Sequence, residues 1–265
     1  MLKALLQSLV RPRDKVLAPA GSSGMLSPSD RQLLAASPLC KGPHYQSVLK
    51  ALHQHLKPAN YLEIGIHTGE TFDLAASTTR AIGVDPSPQV GHAPWPNQRV
   101  FAQTSDDFFA TTDVKAELGG PVELAFIDGL HHFDFALRDF ANIERLARPD
   151  SVVAIHDCWP LDAVTSARER STVLWTGDVW RLIVLLRKYR PDLSVHTIGA
   201  PPSGLGLVLG LDPSSRLLFE RHDELVREFM ALEYAAIENT KAQALNLAPA
   251  DGPAIQRLLA ARPTA

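Results

Sequence analysis

The chain has 265 residues, 45% of them hydrophobic, so it can bury one sizeable core, and a single domain of roughly 200 residues with appended helices fits ordinary size scaling. A net charge of -3 with both signs interspersed leaves no broad basic face, which argues against nucleic acid held by phosphate neutralisation and favours a small or neutral partner. Two cysteines, Cys40 and Cys158, are too few for a disulfide framework or a structural zinc site and fit a reducing cytoplasm.

At the N-terminus, Leu2, Leu5, Leu6, Leu9 and Val10 predict a short amphipathic helix. Arg11, Arg13, Asp14 and Lys15 break the apolar run before Ala18-Pro19-Ala20, so the segment reads poorly as a secretion signal, and no stretch reaches the roughly 18 apolar residues of a membrane span. A Pro/Gly/Ser-rich connector follows, and residues 1–42 read as an arm and linker. Over 43–56, Tyr45, Val48, Leu49, Leu52 and Leu56 recur at helical spacing.

The most telling stretch is 61–71, YLEIGIHTGET, a buried strand entering a glycine turn. Type alternation then predicts a helix over 70–77, strands over 80–85, 99–103 and 122–128, a helix over 133–147 and a strand over 151–156. The apolar run Val122, Leu124, Ala125, Phe126, Ile127 suits a parallel strand covered on both faces. Phe133, Ala136, Leu137, Phe140, Ile143 and Leu146 make one core stripe. Beyond the segment 160–177, a helix is expected over 178–189, two strands over 193–198 and 206–211 form an antiparallel edge pair, and a mostly helical tail runs over 214–243. The expected fold is α/β, doubly wound and Rossmann-like. It has a mostly parallel seven-stranded sheet with an antiparallel edge strand, a core domain over 43–212 and a helical extension over 213–265.

A dinucleotide turn needs glycines at 65, 67 and 70, whereas the chain has Gly65, His67 and Glu70. A glutamate there opposes a bound diphosphate, so the turn suits a nucleoside without phosphates. Gly65 and Gly69 allow close backbone approach, Thr68 is placed to cap the expected helix, and Glu63 sets a carboxylate beside the turn. Asp85 ends the second strand where a carboxylate accepts both ribose hydroxyls. A cationic group near Glu63 and a ribose on Asp85 describe S-adenosylmethionine.

The ordered segments EIGIHTG, AIGVD, AQTSDDFF, ELAFIDGLHHFDFALRD and SVVAIHDC resemble the class I S-adenosylmethionine-dependent methyltransferases over about residues 44–211. Within them the chain is similar to the methyltransferase domain 24 branch, related to macrocin-type and catechol-type O-methyltransferases. The resemblance implies that Glu63, Gly65 and Gly69 line the methionine and ribose side, that Asp85 binds the ribose, and that Thr104, Ser105 and Asp106 flank the adenine. Asp106 and Asp107 serve equally well as helix-capping acids.

Asp128 and Asp157 end central strands and project into the carboxyl-edge crevice, where they could hold one Mg²⁺. Asp128 also counts among the cofactor-side residues. Metal-dependent relatives usually carry a further Asn or acid after the second aspartate, where this chain has Cys158. His131, in the IDGxH segment, is the first candidate for general base or acceptor contact, with Asp128 beside it. His156 reads as a core histidine and Cys158 as a buried small side chain. Trp159, Trp175 and Trp180 flank the insertion at 160–177, where an acceptor pocket would be built.

The leading expectation is methyl transfer to a hydroxyl of a small molecule or sugar. One alternative is a non-catalytic module that binds the cofactor as a sensor or assembly partner, with the apolar terminal helices available for a homodimer. The other is a metal-dependent hydrolase using Asp128, His131, His132, His156 and Asp157.

Overall fold

A computed structural model describes residue 31 and residues 40–263. The expected N-terminal helix and most of the connector lie outside them. Helix α1 (Tyr45–Leu56) leads into β1 (Asn60–Ile64), and β2 (Arg80–Val84) and β3 (Gln98–Phe101) follow. Two short helices, α2 (Ser105–Thr111) and α3 (Val114–Leu118), precede β4 (Val122–Ile127), α4 (Phe133–Leu146) and β5 (Ala147–His156). Then come α5 (Trp180–Tyr189), β6 (Ser194–Ile198) and β7 (Leu205–Leu209). The tail holds α6 (Leu217–Glu220), α7 (His222–Met230), α8 (Lys241–Ala244), the two-residue β8 (Leu247–Ala248) and α9 (Gly252–Ala260).

The sheet order is β3-β2-β1-β4-β5-β7-β6-β8. Strands β1 to β5 are mutually parallel, and β7 runs antiparallel to both β5 and β6 toward this edge. The sheet is therefore doubly wound and mostly parallel, as expected, with β8 adding an eighth strand beside β6. On one face, Val48, Leu49 and Leu52 of α1 and Ile255 and Leu259 of α9 cover Tyr61, Leu124, Phe126 and Val152. On the other, the α4 stripe and Trp180, Ile183 and Leu186 of α5 cover Leu62, Ile82, Ala125 and Ile155. Alternate residues of each strand thus meet opposite helical layers, which is why these strands read as unbroken apolar runs.

Two expected helices differ. In place of a helix over 70–77 there is only a 3₁₀ turn, Phe72–Leu74, and Thr68 is exposed rather than capping it. The segment closes on tighter bonds, Leu74 N–H to the Thr71 carbonyl and Ala75 N–H to the Phe72 carbonyl, and just beyond it the Asn97 side-chain amide donates to the Ala76 and Thr79 carbonyls. The Thr79 hydroxyl donates to the Pro58 carbonyl, which ties the segment's end to the entry of β1. The tail over 214–243 is likewise broken into α6, α7, two 3₁₀ turns and α8. Arg181 donates to the Leu232 carbonyl and Arg187 to those of Gln243 and Ala244, so these groups bind α5 instead of continuing a helix.

Candidate active site

Register puts the chemistry in one row. Ile64 pairs with Val84 on one side and Ile127 on the other, and Ile127 pairs with Ile155. The residues that follow, Gly65, Asp85, Asp128 and, two positions on in the last strand, Asp157, therefore emerge side by side at the carboxyl edge. The chain order reverses between β1 and β4, the position where open α/β sheets bind ligands. Gly65 has φ +86°, and a Cβ there would fall 2.1 Å from the Asp128 carbonyl oxygen. Only glycine lets the turn and the end of β4 approach this closely.

Asp85 is half-buried, and its two oxygens each accept one backbone N–H, from His67 at 2.9 Å and Ser87 at 2.8 Å. Each carboxylate oxygen keeps lone-pair capacity for a further donor, which fits a ribose diol. Gly69, φ +85°, packs under Val90 of the loop after β2. Thr104 caps α2, accepting from the Asp107 N–H, while Ser105 hydrogen-bonds the buried Asp139 of α4 and Asp106 pairs with Arg138. These three residues stand at the mouth of β3, and the capping role weighed for the acids is taken by Thr104 with Asp107.

Glu63 is enclosed beneath the turn, accepting from the Tyr61 hydroxyl at 2.6 Å and the Thr71 hydroxyl at 2.5 Å. Burial pushes its carboxyl up to about 8, against the pull of those two hydrogen bonds. It supports the turn from the core side. Because its folded pKa is raised above the ordinary 4.5, its contribution to stability is full below that value and is lost as pH rises through about 8. Glu63→Gln mimics the neutral acid, accepting one hydroxyl and donating to the other. Its stability, followed by denaturant unfolding, is expected to match wild type near pH 4.5 and exceed it above pH 8.

The second half of the crevice is an ion quartet. His156 Nδ1 lies 3.0 Å from Asp128 Oδ1 and 3.4 Å from Asp157 Oδ2, and His131 Nδ1 lies 2.8 Å from Asp157 Oδ2. Burial alone would lower both imidazoles, but the carboxylates overcome it. Asp157 and then Asp128 push His131 up to about 11, and Asp128 with Asp157 pushes His156 up to about 10. Both aspartates are held below their usual range by the same imidazoles, against the upward push of burial. At neutral pH two imidazolium ions thus face two carboxylates, and His131 donates rather than accepts, a charge state suited to orienting an acceptor.

His131 and Asp157 both adopt left-handed backbone, at φ 59° and 60°. Such conformations in non-glycine residues persist where surrounding contacts over-determine them. The contacts come from the long segment after β5. The Trp175 ring stacks on His131 with centroids 5.2 Å apart and planes within 10°. The Asp178 N–H donates to the His131 carbonyl, and the fully buried Asp178 carboxylate accepts from Phe133 N–H at 2.6 Å while pairing with Arg181. Leu130, more than half exposed, lines the crevice beside Asp128, His131, His156 and Asp157 and leaves apolar surface there.

The ligand atoms of Asp128, His131 and Asp157 lie within 4.8 Å of one another. Two carboxylates this close offer oxygen ligands of the kind a divalent cation takes. Cys158 adds no ligand: it is buried, burial pushes its thiol up, and its sulfur turns back to the Ile155 carbonyl. The expected small buried side chain is what is found. His156 is less a core residue than expected, since it joins the quartet. Sequence reasoning missed Asp178 and Asp139, which look like ordinary polar positions on helices until their burial is seen.

Residues 62–158 match the Methyltransf_24 family model, a methyltransferase domain. That match sets a methyltransferase domain over the part of the chain that runs from β1 to the end of β5. None of the curated proteins compared matches it. Among solved structures, the chain is similar to the O-methyltransferase TomG of Streptomyces achromogenes, involved in tomaymycin synthesis and solved with SAM. Identity is 17%, over 71% of this chain and 92% of that one, with a TM-score of 0.50. It is also similar to an O-methyltransferase from Bacillus cereus in complex with SAH, at 17% identity over 78% and 96% with a TM-score of 0.49. Cofactor-bound Rv0187 from MTB gives 19% over 70% and 90%, again at 0.49. At 17% identity the likeness to TomG speaks to the fold alone.

Proposed function

We propose that this enzyme transfers a methyl group from S-adenosylmethionine to a hydroxyl of a small molecule. The observation that carries the reading is the row of strand ends: the Gly65 turn and Asp85 occupy one half of a crevice whose other half is the quartet of Asp128, His131, His156 and Asp157. Bound, S-adenosylmethionine supplies an electrophilic methyl on a good leaving group. Asp85 would hold the ribose, Gly65 and Gly69 the methionine side, and Thr104 and Ser105 the adenine side. O-methyltransferases among the structural neighbours support oxygen as the acceptor atom.

Asp128 and His131 face the acceptor: His131 orients its hydroxyl, and the carboxylate of Asp128 fixes the imidazole. Orientation to a reactive distance supplies much of the rate in such a displacement. Asp128 and Asp157 would hold a divalent ion such as Mg²⁺, which lowers the pKa of a bound hydroxyl. The exposed apolar side chain of Leu130 in the crevice lining favours an acceptor with a hydrocarbon or aromatic body. Among the described residues no helix is long and apolar enough to cross a membrane.

The test is incubation with methyl-labelled S-adenosylmethionine and a panel of phenols, catechols and sugars, with and without EDTA. Labelled product is expected, with turnover reduced at least about tenfold by EDTA. Turnover untouched by EDTA removes the ion from the scheme, and no product from any hydroxyl acceptor counts against the reading.

A further inference from the structure

The first residue of α1 reaches the site from a direction that the motifs leave out. Tyr45 packs against His156 with ring centroids 4.1 Å apart and planes tilted by 39°, and it lies 6.3 Å from the Phe126 ring, so its ring sits over the ends of β4 and β5. Its backbone N–H donates to the Pro201 carbonyl, and the next residue, Gln46, donates to Glu70 of the glycine turn at 2.8 Å. The helix start therefore bridges the two halves of the crevice, the turn on one side and the quartet on the other. Among the described residues the Tyr45 hydroxyl has no hydrogen-bond partner, although the side chain is half-buried. Burial first, and then the charges of Asp128, Asp157, Glu63 and Glu70, raise its pKa, so the phenol oxygen keeps its proton.

On the reading of the crevice given above, a methyl donor has its ribose on Asp85 and must deliver its methyl beside Asp128. Its cationic sulfur then passes between the turn and the quartet, which is where Tyr45 reaches. We infer that the Tyr45 hydroxyl is a further cofactor-binding group, its oxygen facing the sulfonium of S-adenosylmethionine. A neutral oxygen dipole next to a cation adds favourable energy for the charged donor and little for the uncharged thioether product. The group therefore helps the site distinguish substrate cofactor from spent cofactor. The ring, packed on His156 and held by the Pro201 contact, fixes where that oxygen points.

The test compares wild type and Tyr45→Phe by titration calorimetry with S-adenosylmethionine and S-adenosylhomocysteine. The phenylalanine keeps the ring and its packing and removes only the oxygen. S-adenosylmethionine is expected to bind about three- to tenfold more weakly to the variant, as for loss of one polar contact, with S-adenosylhomocysteine unchanged within about twofold. Equal weakening of both ligands, or no change in either, overturns the assignment and leaves Tyr45 as packing alone. If wild type binds neither ligand, the cofactor reading of the crevice fails, and this assignment with it.

Discussion

Asp85→Ala is expected to weaken binding of S-adenosylhomocysteine by about 10- to 100-fold, measured by calorimetry. The range follows from the carboxylate's role, since a hydrogen bond to a charged group contributes about 1.5–3 kcal/mol and a ribose diol would make two to the same acid. A second effect points the same way. The N–H groups of His67 and Ser87 both end on Asp85, so alanine also loosens the glycine turn and the start of the following loop. Asp85→Asn, which keeps one acceptor oxygen but turns an amide toward one of those N–H donors, should fall between. Unchanged affinity in the alanine variant would remove the ribose from Asp85.

Asp157→Asn is expected to have the largest effect on stability as well as to abolish turnover. Asparagine tolerates the left-handed backbone at this position, so the change isolates the charge. The Asp157 carboxylate is buried, 3% exposed, and faces the nitrogens of both His131 and His156. Removing one partner of a buried ionic group costs about 3–5 kcal/mol, a fall in melting temperature of roughly 10 °C for a domain of this size. The loss should depend on pH with a definite sign. The depressed Asp157 pKa contributes stability present above its ordinary 3.8 and lost as pH falls. The raised histidines contribute stability that is full below 6.5 and is lost as pH rises through about 10 and 11. The gap between wild type and variant is therefore expected to be widest between 3.8 and 6.5 and to close toward alkaline pH. A gap that stays constant from pH 6.5 to pH 11 would contradict the charge assignment.

The strands and the α4 stripe were legible in the sequence because burial on two faces leaves unbroken apolar runs and a 3.6-residue period. The helix expected after the glycine turn was not, since the chain leaves it after one tight turn and is held beyond that turn by Asn97, a residue further along the chain that no local pattern reveals. The broken tail has the same cause, with Arg181 and Arg187 reaching across from α5. In the site, Asp85, Asp128, His131 and Asp157 were legible as strand-end residues. What the sequence hid was their environment. Glu63 looked like a ligand group and is buried on two hydroxyls, while His156 looked like core and pairs with both aspartates. Tyr45 and Asp178 entered only through packing, one by its ring on His156 and the other by its grip on the backbone of residues 131–133.

The most direct test of the whole account is a crystal structure of the wild-type enzyme with S-adenosylhomocysteine. The account predicts both ribose hydroxyls on Asp85, and the thioether sulfur between the Gly65 turn and the Asp128–Asp157 pair. Ligand density elsewhere on the protein, or a ribose turned away from Asp85, would contradict it.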